Sequence, residues 1–256
     1  MRDSILTADR SYDLIASIGV NCGCSGFLRR CKLQYASLPF DWNFCASFDE
    51  HIRTIVNDFA GFLDLQKLQF TPKEDEEKSD RSCDYYRNTQ NGFLFLHDFP
   101  IGVPLNESYP AVREKYQRRI GRLYRRIAKA QKVLFVWFCA QDWLETEQVI
   151  EAQRQLAQKF PKQRVDILVV ENDKNLSDIT EEQLSDNIIR IRYNMFSNKT
   201  GNPLSDVMGN MALGEQAFGR FKLRQPWWFK PARKLLYCIP NRRIRKKLRH
   251  KIYNHD

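Results

Sequence analysis

Five short apolar runs, set apart by polar or helix-patterned stretches, restrict what this chain can fold into more than any other feature. They are "YDLIASIGV" (12–20), "GFLFLHDF" (92–99), "KVLFVWFCA" (132–140), "RVDILVVEN" (164–172) and "NIIRIRYN" (187–194). Their apolar character is continuous rather than alternating, the pattern of strands covered on both faces in a parallel sheet. Residues 111–130 and 145–160 instead repeat apolar positions about every 3.6 residues, as helices do. "SFDEHIRTIVNDFAGFL" begins with Ser47 and has Glu50 three residues on, the capping-box spacing of a helix start. Strands alternating with helices predict an α/β fold, a three-layer α/β/α sandwich around a mainly parallel sheet of about five strands. Residues 71–90 and 194–210 read as loops, the first a charged surface excursion.

Charge divides the chain in two. From Arg220 onward there are 13 Lys/Arg and one acidic residue, whereas the first 219 residues hold 28 basic against 30 acidic. The net charge of +10 therefore belongs to a tail (220–256) appended to a roughly neutral α/β domain (1–219). A neutral body is poor material for a nucleic-acid interface, and nucleic acid is not the expected partner. In the tail, Ile244, Leu248 and Ile252 recur every four residues, and Arg242, Arg243, Arg245, Lys246, Lys247 and Arg249 fill the other face. Trp227 and Trp228 lie just upstream. A basic amphipathic helix beside clustered aromatics predicts an anchor in an anionic membrane interface. A helix packed on the domain, or a contact to RNA phosphates, is the plainer alternative. No run of about 18 apolar residues exists, and acidic residues occupy the N-terminus where a signal peptide needs an apolar core. The expected compartment is the cytoplasm, with peripheral attachment to the inner membrane.

Seven cysteines are an odd number, and the closest pair, Cys22 and Cys24, has no second pair to answer it. That spacing suits neither a disulfide framework nor zinc, and no metal or cofactor is expected. In open α/β sheets the functional crevice lies beyond the carboxyl ends of the strands. Cys22 follows the first run there, behind Gly19 and Asn21, and His97–Asp98 closes the second. A helix starting near Gly23 would favour a thiolate at Cys22 and offer amides at Gly23 and Cys24 to an oxyanion, with Asn21 beside them. Cys22 is equally readable as a buried thiol, and Cys24 more readily so.

His97 is selected as base by scarcity. His250 and His255 lie in the tail, and His51 reads as a surface residue of a helix. The acid that orients His97 is left open among Asp98, Asp41 and Asp206. "LPFDWNF" (38–44) sets Asp41 among rings, with Trp42 beside it, as a helix cap or a functional acid.

Taken together, "SIGVNCGCSGFLRR", "LPFDWNF", "FLFLHDFP" and "KYQRRIGRLYRRI" resemble a bacterial domain family catalogued as papain-like cysteine peptidases. The resemblance spans about residues 12–195. It implies Cys22 as nucleophile and His97 as its partner, in a Cys-His acyl hydrolase or acyltransferase. The post-strand cysteine also resembles hydrolases of the Gly-Asp-Ser type and capsule acetyltransferases, although "SDVMGN" has Met208 where those would place a histidine. The tail is similar to the basic ends of capsule or lipopolysaccharide enzymes, which implies a glycan, lipid-linked or acyl substrate. A glycan or nucleotide-sugar binding protein, or a glycosyl- or phosphotransferase, is the alternative.

Overall fold

The computed structural model describes residues 9–73, 82–141, 143–197 and 208–253. In chain order the strands are β1 (Ser11–Tyr12), β2 (Leu14–Ser17), β3 (Asn43–Phe44), β4 (Leu68–Thr71), β5 (Cys83–Asn88), β6 (Leu94–Pro100), β7 (Lys132–Cys139), β8 (Arg164–Asn172), β9 (Thr180–Ser185), β10 (Ile188–Tyr193) and β11 (Lys222–Leu223). The helices are α1 (Cys22–Arg30), α2 (Phe48–Val56), α3 (Leu105–Lys129), α4 (Thr146–Lys159), α5 (Met211–Phe218), α6 (Phe229–Tyr237) and α7 (Arg242–Tyr253). This is a mixed α/β fold.

The main sheet runs β2-β7-β8-β10-β9, with every pair parallel except β10–β9 at one edge. Alternate residues of its strands feed two cores. Leu14, Phe135, Trp137, Ile167 and Val169 point to the face covered by α2, α3 and α4. Ile15, Val136, Phe138, Leu168 and Ile191 point to the other, where α1 and α5 pack. With both faces buried, β2, β7 and the centre of β8 show no polar alternation. On α1, Phe27 is fully buried between Phe138 and Phe218, with ring centroids 5.5 and 5.1 Å away. Gly214 on α5 makes that approach possible, because a Cβ there would lie 2.2 Å from the Phe27 ring.

Three expectations are corrected. Residues 92–99 do not join the parallel sheet: β6 lies in a separate antiparallel sheet, β3-β6-β5-β4, and the fifth strand of the main sheet is β9. The reason is local. Asn88 and Gly92 close a tight β5–β6 hairpin, with Gly92 at φ +75° and the Asn88 side chain accepting from the Gln90 amide at 2.9 Å. The same hairpin makes residues 83–88 a strand where a surface excursion was expected. Most of the 194–210 segment, including Asp206, lies outside the described residues. His51 is the third correction: it is buried at 1% exposure, under Phe40, Phe93 and Trp137 at 4.8, 4.8 and 5.4 Å.

The tail forms two helices rather than one. It is tied to the domain where Phe229 and Tyr253 pack on Tyr35, at 4.9 and 5.5 Å, and where Arg126 donates to the Tyr253 carbonyl at 2.5 Å. A parallel β1–β11 pair holds the chain just before it.

Candidate active site at the carboxyl end of the main sheet

β2 ends at Ser17, and the chain turns through Gly19 into α1. Gly19 is required by close approach: a Cβ there would sit 2.9 Å from Cys24 Cβ and 3.1 Å from the Phe138 amide. Asn21 is the N-cap, its Oδ1 accepting from the Gly23 amide at 2.8 Å. Cys22 is thus the first residue of a nine-residue helix, at the carboxyl end of the sheet. With the Gly23 amide committed to Asn21, the amides of Cys22 and Cys24 are the ones this helix start leaves for a ligand.

The two cysteines differ in setting. Cys24 is fully buried, directs Sγ at the Val136 carbonyl at 3.5 Å, and burial pushes its thiol up to about 12. Cys22 is half-buried. Burial raises its pKa too, opposed only by its own backbone amide. The helix start was expected to favour a thiolate; burial instead raises this thiol above its ordinary value. No two of the seven cysteines are joined in a disulfide.

His97 lies within β6 rather than after it. Between Tyr86↔Phe95 and Asp84↔Phe99 the register skips, so Leu96, His97 and Asp98 bulge against one residue of β5. The bulge turns Asp98 inward and leaves His97 half-buried, edge-on to Trp42 and Phe44 at 6.0 and 6.3 Å. Two short paths join it to the Cys22 turn. Cys45, next to Phe44, donates its amide to the Val20 carbonyl at 3.3 Å. Ser25 Oγ lies 3.1 Å from both the Cys22 and the Asp41 carbonyls, and Asp41 adjoins Trp42.

Asp98 and Asp41 each sit in a contact network of their own. Asp98 accepts from Tyr116 Oη at 2.8 Å and pairs with Lys115 Nζ at 2.5 Å, and Tyr116 accepts in turn from Asn43 Nδ2. Asp41 is fully buried in a 3₁₀ turn (Pro39–Trp42). Its Oδ2 accepts from Arg29, Gln34 and the Leu38 amide at 2.6, 2.7 and 2.9 Å, while Oδ1 has no partner. Burial raises this carboxyl, against the pull of Arg29. Arg29 also lies over Trp42, 5.2 Å from its centroid. Ser25 and Arg29 were not foreseen, although with Cys22 they fall at i, i+3 and i+7 on one face of α1. Among the described residues, no three His, Cys, Asp or Glu side chains group as metal ligands would.

Residues 13–175 match the model of the family described as "Putative papain-like cysteine peptidase". The chain belongs to that family, whose description points to a cysteine hydrolase. An uncharacterized protein of Acanthamoeba polyphaga mimivirus is 27% identical over 134 residues, covering 48% of this chain. The chain spans 60% of that viral protein's length. No solved structure matches the chain.

Proposed function

We propose that the protein is a cysteine-dependent acyl hydrolase with Cys22 as nucleophile. The observation that carries this reading is the position of Cys22, first in a helix at the carboxyl end of a parallel strand, in a chain whose family is described as cysteine peptidases. Its thiol, raised by burial, is neutral at rest, so a base must remove the proton as sulfur attacks. We assign that role to His97, which stands edge-on to Trp42 and Phe44, the residues next to Asp41 and Cys45 that bond the Cys22 turn. The sulfur bonds to the acyl carbon, the Cys22 and Cys24 amides hold the oxyanion, and the leaving group departs with the proton from His97. Water then cleaves the thioester and restores the thiol. With a sugar hydroxyl in place of water, the same steps transfer the acyl group, which would suit work on surface polysaccharide.

We place this activity at a membrane face. No helix of the described residues is long and apolar enough to cross a membrane. What supports surface attachment is the exposure of Trp227 (87%), Leu235 (66%), Tyr237 (74%) and Ile244 (52%), all in or beside the tail helices.

The test is acetylation by 4-nitrophenyl acetate, read by peptide mass. The peptide holding Cys22 gains one acetyl group in the wild type and none in Cys22→Ala, and His97→Ala slows acylation about 10²–10⁴-fold. Acylation confined to the exposed Cys45 and Cys238 would sink the proposal.

A further inference from the structure

α3 and α7 carry matching basic stripes. Lys115, Arg118, Arg119 and Arg122 fall at i, i+3, i+4 and i+7 on α3, and Arg243, Lys246, Lys247 and Lys251 recur similarly on α7. The two stripes line one cleft of about 810 Å³ over Tyr35 and Ser37. Nine lysines and arginines border it, and no carboxylate does among the described residues.

Among the described residues, two carboxylates pair with this charge. Lys115 is matched by Asp98 and Arg118 by Glu114, while Arg122 donates to the Ser37 carbonyl. Arg119 lies over the Tyr116 ring at 5.3 Å, and its Nη1 is buried with no partner. Like charges brought together repel. Here they are held together by other means, the packing of Phe229 and Tyr253 on Tyr35 and the bond from Arg126 to Tyr253. An anion of several charges is what such a cleft lacks. Guanidinium forks match phosphate oxygens in pairs, and the volume falls in the range of small-ligand sites.

We propose that this cleft binds a small ligand bearing two or more phosphate groups, held by Arg118, Arg119 and Arg122 from α3 and Arg243, Lys246 and Lys247 from α7. Neither Cys22 nor His97 lines it, and an adjoining hollow of about 330 Å³ reaches Asp13 and Leu14 at the start of β2, the far end of that strand. The site is therefore separate from the acyl chemistry and stands or falls independently of it. The phosphates belong either to a soluble polyphosphate or to phospholipid headgroups.

Titration calorimetry with inorganic tripolyphosphate, and co-sedimentation with phosphatidylglycerol–phosphatidylcholine vesicles, separate these sources. The full chain is compared with Arg119→Gln/Lys246→Gln and with Arg242→Gln, which lies on α7 outside the cleft, after circular dichroism has shown all three folded. Tripolyphosphate should bind the wild type one to one, about tenfold or more weaker in the double variant and within about twofold in Arg242→Gln. Vesicle binding without tripolyphosphate binding, with the same loss in the double variant, assigns the phosphates to headgroups. Absence of binding to both probes overturns the site, as does a loss of tripolyphosphate binding in Arg242→Gln equal to that in the double variant.

Discussion

Around Cys22 the polar groups are committed to one another: Asn21 caps α1, Ser25 joins two carbonyls, and Asp41 gathers Arg29, Gln34 and the Leu38 amide. Along the α3–α7 cleft, nine basic side chains face each other with no carboxylate among the described residues. The first region is stabilised by its contacts, and the second is strained by them. Substitutions should therefore have opposite signs in the two places.

The largest effect belongs to the helix that carries Cys22. Phe27→Ala removes a fully buried ring between Phe138 and Phe218 and should cost about 3–5 kcal/mol in urea unfolding. A cost below about 1 kcal/mol would show that α1 is not anchored through this ring.

Next is the acid sensitivity of the layer beneath Asp41 and Trp42. His51 donates from Nδ1 to the Ser47 carbonyl at 2.8 Å, and burial lowers its pKa to about 4. Since the unfolded chain binds the proton more readily, stability falls as pH drops from about 6.5 toward 4, by on the order of 3 kcal/mol in all. His51→Gln should flatten the curve across that window. An unchanged slope would assign the loss to other groups.

The smallest effect has the reverse sign. Lys246→Gln should stabilise the fold at low salt by about a few tenths of a kcal/mol, read as a small rise in melting temperature, through relief of repulsion across the cleft. The gain should vanish in about 1 M salt, where the screening length is roughly 3 Å. Destabilisation at low salt would mean that the basic stripes are already neutralised.

The same contrast explains what the sequence disclosed. β7 and the centre of β8 were legible because strands buried on both faces run apolar without alternation, and no long-range knowledge is needed to see that; β10 was legible from its Ile residues although Arg190 and Arg192 interrupt them. Cys22 was legible as a post-strand residue for the same reason. β6 was misassigned because a run of Leu and Phe reads alike in either kind of sheet. The bulge at Leu96–Asp98, which shapes His97's surroundings, depends on pairing with β5. His51 carried a local signal that was passed over: with Phe48, Ile52 and Ile55 it completes the i, i+3, i+4, i+7 stripe that α2 buries. The cleft left no such signal. Its two stripes are over a hundred residues apart, and each alone looks like an ordinary solvated helix face.

The small β1–β11 pair also decides where the chain tolerates a cut or a fusion. The Arg10 carbonyl accepts from the Lys222 amide at 2.9 Å, the Tyr12 carbonyl accepts from the Arg224 amide at 2.7 Å, and Glu181 bonds both Arg10 and Arg220. Arg10 and Tyr12 thus hold the segment leading into both tail helices. Trimming to Asp13, or crowding Arg10 with a purification tag, would loosen α6 and α7 from more than two hundred residues away. An apparent defect in the tail can therefore begin at the opposite terminus.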